Sequence, residues 1–489
     1  MTNYLSPKAL PSDTTPWWKK PHLLKLNTII SGLLLFSGTV GYDGSLMNGL
    51  QSLGQWREFM NQPAGVWLGF INAIQFIGVM ITSPIQAWAA NRFGRKPTLF
   101  IGYIFLLAGA GLQAGAKDQV MFIVARFLVG VASAWFTVAV ILIAEISYPT
   151  HRSKLSAMFQ CQYYLGSTLS AWVSFGCRNN DSSWAWRIPS LMQVGIPLCA
   201  LPLALLAPES PRWLISKDRH QEAFQMLVEY HAGGDQTSSL VASEMQEIAQ
   251  SIASEREAQN STKWTDMVKT KGNRRRSFIS ATLGIFAQWN GVYVYLVVPA
   301  HDQWFPPSLE FLDGYCRRNA RRPLFLLSTI IMLMSYIVIT GLSGSFATTN
   351  SNSVGISVIP FLFIYYGGYD LGFTPLLLAY PAEIWQYSLR AKGVALTSTC
   401  TYLALVFNTL VNPIALDAIE WKYYIVYIAL LVLILLVVYF TYPETRRHSL
   451  EEIALIFDAD ETSKTDIVDV GEEKIDSEIE HVESTTPRS

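Results

Sequence analysis

An ordered set of charged motifs occurs twice along this chain, each time threaded between apolar stretches. In the first half, Asn91-Arg92-Phe93-Gly94-Arg95-Lys96-Pro97 is followed by Ala144-Glu145-Ile146 with Arg152, and then by Pro208-Glu209-Ser210-Pro211-Arg212-Trp213-Leu214. In the second half the order returns as Arg318-Asn319-Ala320-Arg321-Arg322-Pro323, Ala382-Glu383-Ile384 with Arg390, and Pro443-Glu444-Thr445. Glutamate and arginine are seven residues apart in both copies (152 − 145 and 390 − 383), and the copies are offset by 226, 238 and 235 residues (322 − 96, 383 − 145, 443 − 208). Charged pieces repeated in order around apolar spans imply two related membrane bundles joined in one chain.

Composition agrees with a membrane-embedded chain. Charged residues make up 15% of the sequence, against about 25% in soluble globular proteins. The apolar stretches are each about 20 residues long, enough to cross the hydrocarbon core as a helix. Short alternating segments, which a membrane barrel needs, are absent from the sequence. A net charge of −1 gives no reason to expect nucleic acid as a partner. Cys161, Cys177, Cys199, Cys316 and Cys400 have no metal-ligand spacing and read as small residues of the apolar interior.

Spans are expected near 24–46, 66–88, 98–116, 120–143, 155–177 and 187–207, then 278–298, 323–343, 354–380, 392–416 and 422–442, eleven in all. The domain layout follows: a tail over 1–23, an N-terminal bundle over 24–207, a polar helical linker over 208–277, a C-terminal bundle over 278–442, and a tail over 443–489. From about residue 458 that tail is acidic and poor in large apolar residues, so it reads as disordered. Basic residues orient the spans. Lys19, Lys20 and Lys25, then Arg92, Arg95 and Lys96, then Arg152 and Lys154 lie at alternate loops, which places both termini in the cytoplasm. The pattern breaks once. Arg274–Arg276 and Arg317–Arg322 both belong inside, yet only one apolar span lies between them. The stretch 301–316, with Asp302, Pro306, Pro307, Glu310 and Asp313, is too polar to face lipid. A crossing near 299–322 is therefore missing or degraded, through loss of a span or through a misplaced splice or frame boundary.

These motifs resemble the sugar porter branch of the major facilitator superfamily over most of the stretch from Lys25 to Leu450. The heptapeptide from Pro208 to Leu214 carries the likeness best, with Pro443-Glu444-Thr445, Gly41-Tyr42-Asp43-Gly44, Tyr380-Pro381-Ala382-Glu383-Ile384 and Ser388-Leu389-Arg390-Ala391-Lys392-Gly393 beside it. The last two resemble the fungal lactose- and hexose-permease subgroup. The resemblance implies an all-α major facilitator fold of two six-helix bundles, a midplane sugar site between them, and alternating access. The sequence departs from the family at Asn91, Arg317 and Ala320, where Asp, Asp and Gly are usual, and the eighth helix is the one that is not recognisable.

Asp43 is the sharpest candidate. An aspartate inside a span costs about 2.5–3.5 kcal/mol on insertion scales and normally faces a cavity and a partner. Arg126, in the fourth span, is the natural partner, and the resemblance supports the pairing. Protonation of Asp43 would part the two and free their helices, so the proton is the expected coupling ion. The bland reading makes Asp43 a solvated helix end. Gln160, Gln288, Asn290 and Asn408 are candidate sugar contacts, since amides donate and accept without the cost of buried charge. Each could equally tie two helices together. Arg92, Arg95, Glu145, Arg152, Glu209 and Arg212, with Glu383, Arg390 and Glu444 in the repeat, form the candidate cytoplasmic gate on the family's pattern. Trp213 is expected at the membrane surface and His231 in a loop.

The sequence therefore points to transport of a disaccharide such as lactose, or of a hexose, by proton symport. A sugar sensor on the same fold and a transport-inactive paralogue are the other readings. No catalytic constellation, cofactor motif or metal-binding pair is present in the sequence. The expected partners are a small sugar and the lipid bilayer, and the expected form is a monomer in the plasma membrane.

Overall fold

A computed structural model describes residues 16–291, 320–349, 351–445 and 457. Among them every regular element is helical. The first bundle consists of α1 (Pro21–Gln51), the short α2 (Gly54–Phe59), α3 (Gly65–Phe93), α4 (Arg95–Ala114), α5 (Gln119–Phe136) with α6 (Val138–Ile146), α7 (Arg152–Cys177), and α8 (Trp184–Met192) with α9 (Gly195–Leu206). The linker folds as α10 (Pro211–Ser216), α11 (His220–Tyr230) and α12 (Ser239–Ser261). The second bundle holds α13 (Lys271–Trp289), α14 (Arg321–Thr349), α15 (Asn352–Ile384), α16 (Tyr387–Ile419) and α17 (Tyr423–Thr441).

Eight helical stretches among the described residues are long and apolar enough to cross a membrane. One of them, Ser388–Thr441, contains both α16 and α17. Two further helices fall short of that test. α7 carries Gln160, Gln162 and several serines, and α13 begins with Arg274, Arg275 and Arg276. They occupy the places of the two remaining expected spans, 155–177 and 278–298, of which 292–298 lies outside the described residues. The fourth and sixth spans are each broken in the middle, at Thr137 and at residues 193–194, which the sequence reading did not anticipate. The disturbed stretch 299–319 and the tail beyond 457 lie outside the described residues.

Packing follows the chemistry of apolar helices in lipid, where close van der Waals fit replaces the hydrophobic drive. α1 lies along α7, with the backbones so near that a Cβ on Gly166 would come within 1.7 Å of the Gly38 carbonyl oxygen. The second bundle centres on aromatic residues, with Phe325 edge-on to Phe373, Tyr380 and Tyr442. The two bundles meet where α3 packs on α16, and Gly69 sits directly against the Leu410 backbone. That junction lies at the opposite end of these helices from Phe93 and Tyr387, next to the charged motifs.

Candidate functional site

The repeated charges close into two matching networks. In the first, the Arg95 guanidinium grips Glu145 with two hydrogen bonds, Nε to Oε2 at 2.9 Å and Nη2 to Oε1 at 3.1 Å. Glu209 accepts from the backbone N–H groups of Arg95 at 2.9 Å, Lys96 at 3.2 Å and Ser210 at 2.9 Å. A carboxylate at the start of α4 thus satisfies donors that a helix N-terminus leaves open and opposes its positive end. Burial pushes the Glu209 carboxyl above its ordinary value, while these backbone donors and the Arg95 charge pull it back. Gly94 makes the approach possible. Its φ is +109°, a conformation that suits glycine, and a Cβ there would lie 2.5 Å from the Glu209 carboxylate.

The second network repeats these bonds. Arg321 reaches Glu383 at 2.9 Å through Nη2, and Glu444 accepts from the backbone N–H groups of Arg321 at 2.8 Å, Arg322 at 3.0 Å and Thr445 at 3.1 Å. Even the flanking cation is matched, with Lys96 Nζ on the Leu205 carbonyl and Arg322 Nη2 on that of Tyr439. Arg321 stands in the second copy where Arg95 stands in the first. The motif alignment pointed to it, but its place among the gate residues emerges only from this geometry.

The remaining gate candidates are distributed differently. Arg212 pairs with Glu255 of α12 and so ties α10 to the linker. Arg92 is exposed. Arg152 keeps its Nε buried without a hydrogen-bond partner among the described residues, and Arg390 is half-buried at the start of α16. Trp213, expected at the membrane surface, packs against protein. It is buried, and its indole N–H donates to the Asn91 carbonyl at 3.1 Å, clamping the linker onto the end of α3. His231 lies in the turn after α11, as expected, but is buried there. Its ring is buried between Glu244, 2.8 Å from Nδ1, and the Ile146 carbonyl, 3.1 Å from Nε2.

Inside the first bundle, Asp43 on α1 and Arg126 on α5 are both fully buried among helices. Their charges act on each other, but no ion pair within 4.0 Å joins them. Asp43 Oδ2 accepts from the Ser133 hydroxyl at 3.3 Å, and Oδ1 is buried without a partner among the described residues. Arg126 instead donates through Nη2 to Gln75 Oε1 on α3. Its Nε and Nη1 have no hydrogen-bond partner there. Sequence reading missed Gln75, although an amide in the middle of an apolar span was a usable signal.

The candidate amides divide into two groups. Asn290 is buried and accepts from the Tyr365 hydroxyl at 3.0 Å. Asn408 donates to the Gln288 carbonyl at 3.0 Å and accepts from Tyr427 at 2.9 Å, so both ends of its amide are engaged in holding helices. Gln288 is buried with its Oε1 unpartnered among the described residues, and Gln160 is exposed on α7. A further residue was passed over. Asp370, within α15, accepts from Tyr164 of α7 at 2.8 Å, and so links the two bundles.

Two helix bundles with mirrored charge networks at one end, and buried ionisable groups within the spans, define a major facilitator-type membrane transporter. The family described as "Sugar (and other) transporter" matches residues 29–299 and 315–457, and the chain belongs to this sugar porter family, whose members are transporters and not enzymes. It is 27% identical over 442 residues to the MFS-type transporter oryC of Aspergillus oryzae, covering 84% of this chain and 82% of that one. It is 25% identical over 505 residues to a high-affinity glucose transporter of Kluyveromyces lactis, covering 93% and 89%. The inward-open xylose transporter XylE from E. coli has the same fold, with a TM-score of 0.73, 21% identity, and coverage of 88% of this chain and 99% of that one.

Proposed function

We propose that this protein carries a hexose or a disaccharide such as lactose across the plasma membrane by alternating access, with a proton moving in the same direction. The observation that carries the coupling is the buried, unclosed couple of Asp43 and Arg126. Bare charges in a low-dielectric interior are tolerated only when compensated. A protonated Asp43 releases the guanidinium, and Gln75, which accepts from Arg126 Nη2, is there to hold it. Loss of the proton restores the attraction and draws α1 toward α5. In this reading the two bundles rock about the sugar. The Arg95–Glu145 and Arg321–Glu383 networks lie on the cytoplasmic side with both termini, and they hold the helix ends that must separate and rejoin in each cycle. The glucose transport of a relative supports a hexose, and open amides at Gln160 and Gln288 suit its hydroxyls. No cofactor beyond the proton is needed, and one chain suffices.

Uptake of radiolabelled glucose and lactose in a hexose-transport-deficient yeast, at pH 5 and pH 7.5, tests this. Accumulation should be several-fold greater at pH 5, and Asp43→Asn should abolish accumulation while leaving exchange across the membrane. Uptake indifferent to both pH and Asp43→Asn would remove the proton from the mechanism.

A further inference from the structure

The linker meets the first bundle through a buried histidine whose hydrogen bonds call for one proton more than a neutral ring supplies. His231, in the turn after α11, and Glu244 of α12 have side chains 1% and 4% exposed. Nδ1 lies 2.8 Å from Glu244 Oε2, and Nε2 lies 3.1 Å from the Ile146 carbonyl oxygen. A carboxylate and a carbonyl both only accept. A neutral imidazole has one N–H, so either tautomer turns a ring lone pair toward an oxygen that cannot donate to it. A buried polar atom left in that position is costly. Both bonds form together only when the pair holds a second proton, as imidazolium beside carboxylate or as imidazole beside carboxylic acid.

The groups around the ring come from four elements. Leu23 of α1, Tyr148 after α6 and Leu240 of α12 close an apolar joint, and the Tyr148 ring stands edge-on to His231 at 5.6 Å. From α1, His22 acts on His231 by charge, and Lys25 is bonded to Glu229 of α11 at 2.6 Å. His151, on the other side of Tyr148, is held below its ordinary value by burial and by the Lys154 charge. Ile146 ends α6 and follows Glu145, the glutamate gripped by Arg95. A hydrogen bond on the Ile146 carbonyl therefore fixes the helix end on which the first network is mounted.

We propose that His231 and Glu244 form a proton-dependent latch between the linker and the gate helix α6, closed at low pH and opened at high pH. Histidine is the side chain that ordinarily exchanges a proton between about pH 5 and pH 8. The latched state binds one proton more than neutral imidazole and carboxylate together, so acid favours it and alkali releases it. On the sidedness proposed above, the pH that is read is that of the cytoplasm. An acid cytoplasm then steadies the first network and restrains a carrier that brings protons in. That last consequence rests on the transport reading given above, whereas the latch does not.

Hydrogen exchange of the purified full-length protein in lipid nanodiscs, at pH 6 and pH 8 and corrected for the intrinsic rate at each pH, tests the latch. In the wild type, peptides within 220–250 and 138–150 should lose protection together at pH 8, by up to about tenfold per pH unit, the limit for one linked proton. Glu244→Gln should stay protected at both pH values, since its amide donates to Nδ1 and the neutral ring donates from Nε2 to Ile146. His231→Ala should be unprotected at both. Equal wild-type protection at the two pH values overturns the proposal, and so does protection retained by His231→Ala. A pH-dependent loss that persists in Glu244→Gln overturns it too, as does a loss confined to the linker while 138–150 holds, which would make the contact a static brace. Should Glu244→Gln fail to accumulate, His231→Arg, which carries its donors at every pH, decides. Protection at both pH values then supports the latch, and a pH-dependent loss overturns it. No sugar enters this measurement, so a wild type that takes up neither glucose nor lactose sinks the transport reading and leaves the latch standing.

Discussion

The first bundle and the second agree in their end networks and differ in what they place within the membrane. At the ends, an arginine–glutamate pair and a glutamate capping a helix start recur bond for bond. The details diverge in one respect. The Ser210 hydroxyl accepts from the Trp213 backbone N–H and caps α10, whereas Thr445, its counterpart, donates to Glu383 at 2.7 Å. The Arg95–Glu145 side chains are 12% and 12% exposed, and those of Arg321 and Glu383 are 19% and 30% exposed. Deeper in, the first bundle seals Asp43 and Arg126 among its own helices. The second carries Asp370, held by hydroxyls and turned to the other bundle. Duplication kept the parts that hold loops and helix ends in register. The ionisable groups inside the spans differ between the two bundles, and each is expensive to keep at that depth.

The sharpest way to break this comparison is to disturb the packing that seals the first pair. Gly166→Val places side-chain atoms where the Gly38 carbonyl lies and should force α1 from α7. Overpacking commonly costs about 1–3 kcal/mol and more where the neighbour cannot give; here the neighbour is backbone 1.7 Å from the new Cβ, so the loss should exceed about 4 kcal/mol, and the protein should show a strongly lowered melting temperature or fail to accumulate in membranes. Next, Arg95→Gln should destabilise by about 2–4 kcal/mol, since it strands a carboxylate that is largely buried. The matching Arg321→Gln should cost roughly half as much, because solvent screens its partner and Thr445 still donates. Thermal unfolding of the two purified variants in one detergent checks the order, and equal losses would argue that the networks are energetically equivalent. The smallest effect is expected from Asn91→Asp. Arg95 Nη1 already reaches Asn91 Oδ1 at 3.4 Å, so a carboxylate there should stabilise by no more than about 0.5–1 kcal/mol, as exposed pairs do. A larger gain in melting temperature would mean that the amide weakens the first network more than the geometry implies.

The order of charged motifs pointed to two related bundles, to roughly where their spans lie, and to which glutamates and arginines recur. Those features are local. A span needs about twenty apolar residues, a helix start needs a capping acceptor, and both leave marks within a few positions. The sequence also marked Asp43 and Arg126, since charge in an apolar run is conspicuous at any distance. Tertiary structure decided the rest. Arg126 faces Gln75, Asp370 meets Tyr164, Trp213 clamps Asn91 and His231 is sealed against Glu244 because side chains far apart in the chain share one helix interface. Period and composition say which face of a helix is apolar. They do not say which other helix comes to lie against it, and the choice between a paired and an unpaired buried charge is made at that contact.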